Sequence, residues 1–250
     1  MRHNEAYSRK FYLDQRDGSY KSAAAILPLL TDHLSIRSVC DVGCGVGAWL
    51  RVFNELGIEG VFSLDGAHVD HRLLQISDTD FRPTDLRERI TIDRTFNLAV
   101  SMEAAEHLPL ERAASFVEDP TKLSSRVLFS AATPMQRGSS HINEQWQSYS
   151  ADKFSACGYA VSNVIRPLVW KNSDVDHWYW QNALLYRRVE IRRNDPNEGD
   201  YASFPVSPRA SRAISDPTSR AFHPRGCLWS SAGHLRRQMV NEPQISGNVR

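Results

Sequence analysis

The stretch Val39–Leu50, VCDVGCGVGAWL, decides the fold because it places three alternate glycines between an apolar run and an amphipathic run. Gly43 begins a G-x-G-x-x-A pattern that ends at Ala48, an acceptable dinucleotide-binding fingerprint. Asp41 begins an overlapping pattern, D-x-G-x-G-x-G, that ends at Gly47. Both patterns predict a glycine loop between a first strand and a first helix, where the backbone can approach a ligand at the positive helix end.

Asp41 distinguishes between the ligands that such a loop holds. Its carboxylate ends the first predicted strand, where it repels a pyrophosphate and attracts a cation. S-adenosylmethionine carries an ammonium and a sulfonium group and has no phosphate. Asp65 ends the second predicted strand, where a carboxylate accepts hydrogen bonds from the ribose hydroxyls of either cofactor. Asp41 therefore favours S-adenosylmethionine over a dinucleotide; a tight turn that binds no ligand is the remaining alternative.

The composition divides the chain into a domain and a tail. The 250 residues are 41% apolar and 24% charged, which is typical of one globular domain with an appendage. Residues 191–250 contain six of the twelve prolines and nine arginines without a lysine. We expect residues 1–190 to form the folded domain. We expect residues 191–250 to be a disordered tail, because they bury too little apolar surface to offset the entropy of ordering.

Charge and cysteine content exclude several classes of partner. The net charge is +1, and the tail carries +4, so residues 1–190 are slightly acidic and do not favour nucleic acid. No apolar run approaches the roughly 20 residues of a membrane span, and the N-terminus lacks a signal peptide. No C-x-x-C pair is present among the four cysteines, which suits a reducing cytoplasm. The oligomeric state stays open.

The order of predicted elements indicates an α/β fold. We expect strands at 36–43, 59–66, 95–103, 126–133, 159–170 and 182–191, and helices at 19–34, 47–57, 71–77, 109–120 and 150–158. The first helix is expected to be interrupted near Pro28, and the fourth to stop at Pro120. Alternating strands and helices predict a doubly wound, mostly parallel sheet. The last two strands lack a crossover helix, which predicts an antiparallel hairpin at one edge.

Four motifs in order along the chain resemble those of class I S-adenosylmethionine-dependent methyltransferases. They are CDVGCGVGAWL, VFSLDG, FRPTDL and FNLAVSMEAAEHLP, and the resemblance covers about residues 20–190. It implies a Rossmann-like methyltransferase fold with seven strands and S-adenosylmethionine as the cofactor. The cofactor-binding positions that it implies are Asp41, Gly43, Gly45, Gly47, Asp65, Asp85, Leu86 and Glu103; Glu106 and His107 complete the matching positions.

The resemblance also implies a role for each motif. The glycine loop passes under the methionine part of the cofactor, and Asp65 binds the ribose. The Asp85-Leu86 pair follows the third strand and places its carboxylate near the adenine amine. The E-x-x-E-H-L motif that begins at Glu103 follows the fourth strand.

Two later stretches point to the acceptor. GSSHINEQW (138–146) and DHWYWQNALLY (176–186) resemble a bacterial subfamily that is associated with glycan or polysaccharide assembly. That subfamily carries G-x-x-H-x-N-x-x-W after the fifth strand and W-x-x-Q-N before the last. One type of member methylates a sugar hydroxyl, such as the fucosyl 2-hydroxyl of nodulation lipo-oligosaccharides. The resemblance implies a small-molecule or glycan acceptor.

Three residues are candidates for catalysis. A sugar hydroxyl loses its proton as the new bond forms, so a general base speeds transfer by about 10²–10⁴. His141 suits this task, because a free imidazole titrates near pH 6.5; its alternatives are to orient the acceptor or to brace its loop. His107 is catalytic, cofactor-contacting or structural. Glu144 orients His141, accepts a substrate hydroxyl or is a solvated loop carboxylate.

Aromatic residues near the proposed pocket mouth support a carbohydrate acceptor, because sugar C–H faces stack on aromatic rings. They are Trp146, Tyr149, Trp170, Trp178, Tyr179 and Trp180, and at least half are expected in the core. The potential metal ligands His141, Glu144, Asp176 and His177 lie in loops of unknown separation, so no metal site is predicted.

Several functions stay open at this point. The first is methyl transfer to a sugar hydroxyl, and the second is N-methylation of a small-molecule amine or an amino sugar. A non-catalytic binder and a protein methyltransferase are further alternatives.

Overall fold

A computed structural model describes residues 9–189, with side chains described from residue 17 onward. The predicted tail, 191–250, and its boundary with the domain lie outside these residues. Within the described part, no helix is long and apolar enough to cross a membrane.

The central sheet has seven strands in the order β3-β2-β1-β4-β5-β7-β6. The strands are β1 Ser38–Val42, β2 Gly60–Asp65, β3 Phe81–Pro83, β4 Leu98–Met102, β5 Arg126–Ser130, β6 Tyr159–Ser162 and β7 Leu184–Arg188. The first five are parallel, and β7 pairs antiparallel with both β5 and β6. The predicted fold class, a doubly wound and mostly parallel sheet with an antiparallel edge, is confirmed.

Within residues 9–189, six α-helices flank the sheet on both faces. They are α1 Arg9–Thr31, α2 Ala48–Glu55, α3 Ala113–Leu123, α4 Gln147–Ala156, α5 Arg166–Val169 and α6 His177–Asn182. Alternate residues of the strands face opposite layers, so β1 contributes Val39 to one core and Cys40 to the other. The first core also contains residues of α1 and α2, and the second contains residues of α3 and α4. Strands that are covered on both faces explain the nearly continuous apolar runs in the sequence.

Three predicted helices differ from the structure in their extent or continuity. The segment predicted as a helix at 71–77 forms only a single 3-10 turn, His71–Leu73, because Leu74 returns to extended backbone. Helix α3 does not stop at Pro120 but continues to Leu123. Phe116 and Leu123, on either side of the proline, are both buried in the second core, and this packing holds the last turn in place. Helix α1 likewise continues past Pro28 to Thr31.

The predicted strand 159–170 is also partly wrong. Only Tyr159–Ser162 is extended, and Arg166–Val169 forms α5. Ile165 and Val169 recur at a spacing of four and are each 1% exposed, so the helical period buries both in the first core. Because α5 and α6 separate β6 from β7, the antiparallel pairing is right but the tight hairpin is not.

Arg112 fixes the segment after β3 against α3. Its side chain is 6% exposed and forms an ion pair with the fully buried Asp119. It donates hydrogen bonds to the carbonyl oxygens of Leu86, at 3.0 Å, and Glu88, at 2.7 Å. These bonds position the Asp85-Leu86 pair, which the sequence assigns to the cofactor.

Replacing Arg112 with alanine is expected to reduce the free energy of unfolding by about 3–5 kcal/mol, because it leaves the Asp119 carboxylate buried without its partner. Urea denaturation followed by circular dichroism measures the change. Arg89→Ala is the matched control, since it breaks an exposed ion pair with Glu118 on the same helix. Equal destabilisation by the two variants would contradict this account.

Candidate active site

A cleft of about 600 Å³ lies at the carboxyl ends of β1, β2, β3 and β4. Open α/β sheets bind ligands at this edge of the sheet. Of the eight predicted cofactor residues, seven line the cleft: Asp41, Gly43, Gly45, Asp65, Asp85, Leu86 and Glu103. Gly47, the eighth, is the residue that caps α2. The sequence motifs therefore converge on one cavity.

The three glycines of the loop have left-handed backbone, with φ values of 88°, 54° and 79° at Gly43, Gly45 and Gly47. Side chains disfavour this conformation. A Cβ atom at Gly43 would also lie 2.5 Å from the Cβ of Ala104, at the end of β4. Glycine at position 43 therefore permits both the turn and the close approach of the loop to β4.

Asp65 joins the glycine loop to the end of β2. Its Oδ2 accepts a hydrogen bond from the Gly45 N–H at 2.7 Å, and its Oδ1 accepts one from the Gly66 N–H at 2.6 Å. Burial raises the pKa of Asp65, and the two hydrogen bonds offset part of that rise. Asp65 lines the cleft, and each carboxylate oxygen can accept a further hydrogen bond there.

Asp41 is a buried carboxylate without full compensation. It is 2% exposed, and its Oδ1 accepts no hydrogen bond from any residue in the described range. Burial raises the pKa of Asp41 well above its ordinary value, and the neighbouring Asp65 carboxylate adds to this rise. An unpaired carboxylate in a cleft wall suits a ligand that brings positive charge or a hydrogen-bond donor.

Asp85 and Leu86 follow β3 and line the cleft. Asp85 is exposed, and its Oδ2 forms an ion pair with Arg87 at 2.6 Å. Hydrogen bonds from Arg87 lower the pKa of Asp85 to about 2. Its carboxylate is therefore ionised at neutral pH and fixed in direction, and Leu86 adds an apolar surface beside it.

Glu103 directly follows β4 in a strained conformation, with φ 52°. Its carboxylate accepts a hydrogen bond from Gln136 Nε2 at 2.7 Å and a long one from Asn182 Nδ2 at 3.4 Å. Asn182 also donates to Gln136 Oε1 and accepts from Gln147. The W-x-x-Q-N motif thus ends in an amide that holds the Glu103 carboxylate beside the cleft.

His107 lines the cleft, and His141 and Glu144 lie behind it. The ring centroids of His107 and His141 are 5.0 Å apart in an edge-on arrangement. Burial and the neighbouring His141 lower the pKa of His107 to about 4, so its imidazole is neutral at physiological pH. His107 is therefore the predicted catalytic residue that the structure brings to the cavity surface.

Glu144 organises the loop that carries His141. Its Oε1 lies 3.0 Å from His141 Nδ1. The same oxygen accepts a hydrogen bond from the Arg137 N–H at 2.9 Å, and Oε2 accepts one from the Met135 N–H at 2.9 Å. Both backbone donors belong to residues with positive φ. The carboxylate is thus occupied by its own loop and orients the imidazole, rather than being a solvated loop carboxylate.

Most of the predicted aromatic cluster lies away from the cavity. Of the six residues, only Tyr179 lines the cleft, and its hydroxyl forms a 2.9 Å hydrogen bond with Ser19 of α1. Trp178 and Trp180 pack partly against the first core. Trp146 and Trp170 expose 40% and 49% of their surface and lie outside the cavity wall.

Sequence reasoning missed several residues of the site. Ser19 of α1 and Trp49 of α2 line the cleft. Ser19 belongs to no recognisable motif, and Trp49 lies in the glycine-loop motif but was given no role in the site. Glu106, which motif matching included without a role, is fully buried, and burial together with the Glu103 carboxylate raises its pKa. The sequence feature that could have indicated its role is its position next to the apolar residues of the E-x-x-E-H-L motif, where a charged side chain is unusual.

Comparison with known proteins identifies similar chains. A family model described as a methyltransferase domain matches residues 12–153. No curated protein sequence matches the chain. The SAM-bound structure of CalS10, an amino pentose methyltransferase from Micromonospora echinaspora, is 14% identical with a TM-score of 0.56, and the match covers 73% of this chain and 98% of that one.

Two further structures share the fold at 17% identity and a TM-score of 0.50. One is magnesium protoporphyrin IX methyltransferase (ChlM) from Synechocystis PCC 6803 with bound SAM, and the match covers 73% of this chain and 86% of that one. The other is a complex of a Haloferax volcanii putative methyltransferase with its Trm112 activator, where the match covers 71% and 94%. The SAM-bound structures agree with S-adenosylmethionine, the cofactor predicted from Asp41.

The variant Asp41→Asn is expected to be more stable than the wild type in the absence of cofactor, and the difference is expected to grow as the pH rises from 4 to 8. Burial raises the pKa of Asp41 in the folded state above its value in the unfolded state. The wild type therefore loses stability as the pH rises from the unfolded-state pKa through the folded-state pKa, whereas asparagine does not titrate. Urea denaturation at several pH values measures the difference. Asp152→Asn, at an exposed position, is the control. A difference that shrinks with rising pH would contradict the assignment of Asp41.

Proposed function

This chain belongs to the methyltransferase domain family, and on that premise we propose that it transfers a methyl group from S-adenosylmethionine to a sugar hydroxyl on a glycan, glycolipid or lipo-oligosaccharide. The observation that carries the proposal is the set of carboxylates around the glycine loop. Asp41, Asp65 and Glu103 all line the cleft. A cofactor with two cationic groups and a ribose diol matches these carboxylates better than a pyrophosphate does.

Each wall of the cleft has a part in cofactor binding. Asp65 accepts hydrogen bonds from the ribose hydroxyls, using the lone pairs that the loop amides leave free. Asp41 and Glu103 face the cationic methionine portion, where the glycine loop lets the backbone come close. The Asp85-Leu86 pair holds the adenine, and Arg112 fixes the backbone of that pair. This set of contacts explains why four separate motifs are needed for one ligand.

Methyl transfer itself depends mainly on positioning. The acceptor oxygen attacks the methyl carbon in line with the sulfur, the O–C bond forms as the C–S bond breaks, and the hydroxyl proton is released. His107 and His141 are the residues that we assign to the acceptor hydroxyl, either as base or as orienting groups. Glu144 fixes the ring of His141 through the 3.0 Å contact with Nδ1.

Exposed aromatic surface beside the His141 loop supports a sugar acceptor. Trp146 follows His141 in the G-x-x-H-x-N-x-x-W motif, and Ile142 in the same motif is 65% exposed. A sugar ring can stack its C–H face on the indole while its hydroxyls reach polar groups. The fold that this chain shares with the amino pentose methyltransferase CalS10 can accommodate a sugar, and the one shared with ChlM serves a porphyrin.

The second candidate function is N-methylation of a small-molecule amine or an amino sugar. The carboxylates of the cleft favour it, because an ammonium acceptor gains from negative charge that a neutral hydroxyl does not need.

We place the reaction in the cytoplasm. Cys40, Cys44 and Cys157 are free thiols, as expected in a reducing compartment.

The full chain is expected to transfer isotope-labelled methyl from S-adenosylmethionine to fucosylated oligosaccharides and to form an O-methyl ether. Mass spectrometry and NMR of the product distinguish an O-methyl from an N-methyl group. Trp146→Ala is expected to lower kcat/KM for the sugar about tenfold or more, with unchanged affinity for the cofactor, because it removes a stacking surface.

Leu110→Ala, which truncates another exposed apolar side chain outside the two acceptor motifs, is the control. Methylation of amino sugars with no methylation of hydroxyl-only sugars would replace the proposal with the N-methyl alternative. Turnover that is unchanged in Trp146→Ala would contradict the assigned acceptor surface.

A further inference from the structure

We infer that Glu106, His107 and His141 bind a divalent transition-metal ion at the wall of the cleft, and that this ion orients the acceptor hydroxyl. The inference rests on the proposed function and gives the two histidines their role within it. No metal site was predicted from the sequence, because the potential ligands His141, Glu144, Asp176 and His177 lie in loops of unknown separation.

Glu106 is the strongest indication of a missing cation. Its side chain is fully buried, and neither carboxylate oxygen has a hydrogen bond of standard geometry from residues 9–189. The backbone amides of Glu106 and Ala132 lower its pKa, but burial outweighs them. A second carboxylate, that of Glu103, lies nearby and adds to the negative charge. A buried carboxylate whose only nearby cationic partner is a histidine at 3.9 Å is costly, and binding a metal ion is one of the standard ways to compensate it.

His141 is oriented as a metal ligand is. Its Nδ1 lies 3.0 Å from the carboxylate of Glu144, which fixes the proton on that nitrogen and directs the lone pair of Nε2 away from it. Nε2 lies on the side of Glu106, 3.9 Å from Oε1. Metal-binding histidines commonly donate their other ring nitrogen to a carboxylate in this way. Glu144 is thus a positioning residue for the site.

Gly138 keeps the metal-facing side of His141 open. A Cβ atom at this position would lie 2.2 Å from His141 Nε2, so any other residue would push the imidazole away from Glu106. Glycine is therefore required at the first position of the G-x-x-H motif because a side chain there would clash with the imidazole.

His107 completes the set and connects it to the cavity. One ligand atom from each of Glu106, His107 and His141 lies within 4.8 Å of the other two. Ligands of one metal at about 2.0–2.2 Å are separated by at most about 4.4 Å, so a small contraction brings all three into range. Since His107 lines the cleft, the open coordination positions face the space where an acceptor binds.

The ligand types select the class of ion. Two imidazoles and one carboxylate suit Mn²⁺, Fe²⁺, Co²⁺ or Zn²⁺, whereas Mg²⁺ prefers an all-oxygen shell. A hydroxyl bound to such an ion loses its proton more readily. The proton leaves to solvent, the oxygen pair forms the O–C bond to the methyl group, and the C–S bond pair stays on sulfur in S-adenosylhomocysteine.

The four potential ligands considered from the sequence do not form this site. His141 alone belongs to it, and Glu144 supports His141 from behind. The backbone N–H of Asp176 bonds to Ser22 of α1, and the His177 ring is exposed and contacts Trp178. The distances between these residues along the sequence do not indicate which of them lie close together in space.

The test is Mn²⁺ binding by the full chain after chelator treatment, followed by equilibrium dialysis and electron paramagnetic resonance. We expect one bound Mn²⁺ in the wild type, with competition by Zn²⁺ and little by Mg²⁺. Glu106→Gln, His141→Gln and Gly138→Ala are each expected to weaken binding tenfold or more. His177→Gln is the control, because it removes a histidine beside a carboxylate elsewhere in the domain and is expected to bind as the wild type does.

S-adenosylmethionine titration of each variant separates loss of the metal site from loss of the fold; if Glu106→Gln does not fold, His141→Gln decides. Wild-type binding no tighter than that of the His141 variant would overturn the inference. Preference for Mg²⁺, unaffected by His141→Gln, would also overturn it. Mn²⁺ bound at the assigned residues without methyl transfer to any sugar would support the site and count against the proposed function alone.

Discussion

The hydrogen bond from the Gly45 N–H to the Asp65 carboxylate, 2.7 Å long, holds the glycine loop against the end of β2. The rest of the cleft depends on it, because the loop lies between β1 and α2 and forms the floor of the cavity. Parallel pairing of β2 with β1 places Asp65 level with the end of β1. The left-handed backbone at Gly45 directs the Gly45 N–H toward the Asp65 carboxylate. The same residue that closes the loop is thus available to the ribose of the cofactor.

The cavity accumulates negative charge that its own residues leave uncompensated. Asp41 and Glu106 are both buried, and each has carboxylate oxygens without a hydrogen bond of standard geometry among residues 9–189. Burial of such groups lowers stability, and sites that carry this cost are characteristically functional. Two cationic ligands account for the two carboxylates. We propose that the cofactor compensates Asp41 and that the inferred metal ion compensates Glu106.

The sequence was sufficient for the fold and for most of the cofactor cleft, because both depend on local patterns. Apolar runs predicted the buried strands. Asp41 and Asp65 lie at the carboxyl ends of β1 and β2, Asp85 follows β3, and all three line the cleft. Contacts between distant segments were beyond its reach. Ile165 and Val169 form a helix because the first core buries both, and Pro120 stays inside α3 because its neighbours are packed.

The catalytic region was the hardest part to predict for the same reason. His141 approaches Glu106 only because the loop that follows β5 folds back, with the Ile142 and Asn143 amides bonding to the Glu106 carbonyl oxygen. Nothing in the spacing of these residues indicates that contact. Glu106 and His107 are adjacent in one sequence motif, so the sequence places two of the three inferred metal ligands together. Only the tertiary structure brings His141 to them.

The central claim is that the glycine loop and its carboxylates bind a sulfonium cofactor. The most direct measurement is calorimetric titration of the full chain with S-adenosylmethionine, S-adenosylhomocysteine and NAD in parallel, for the wild type and for Asp65→Ala. The account predicts saturable binding of the first two by the wild type, no binding of NAD, and loss of most of the affinity in the variant. Binding of NAD alone, or cofactor affinity that is unchanged in Asp65→Ala, would contradict it.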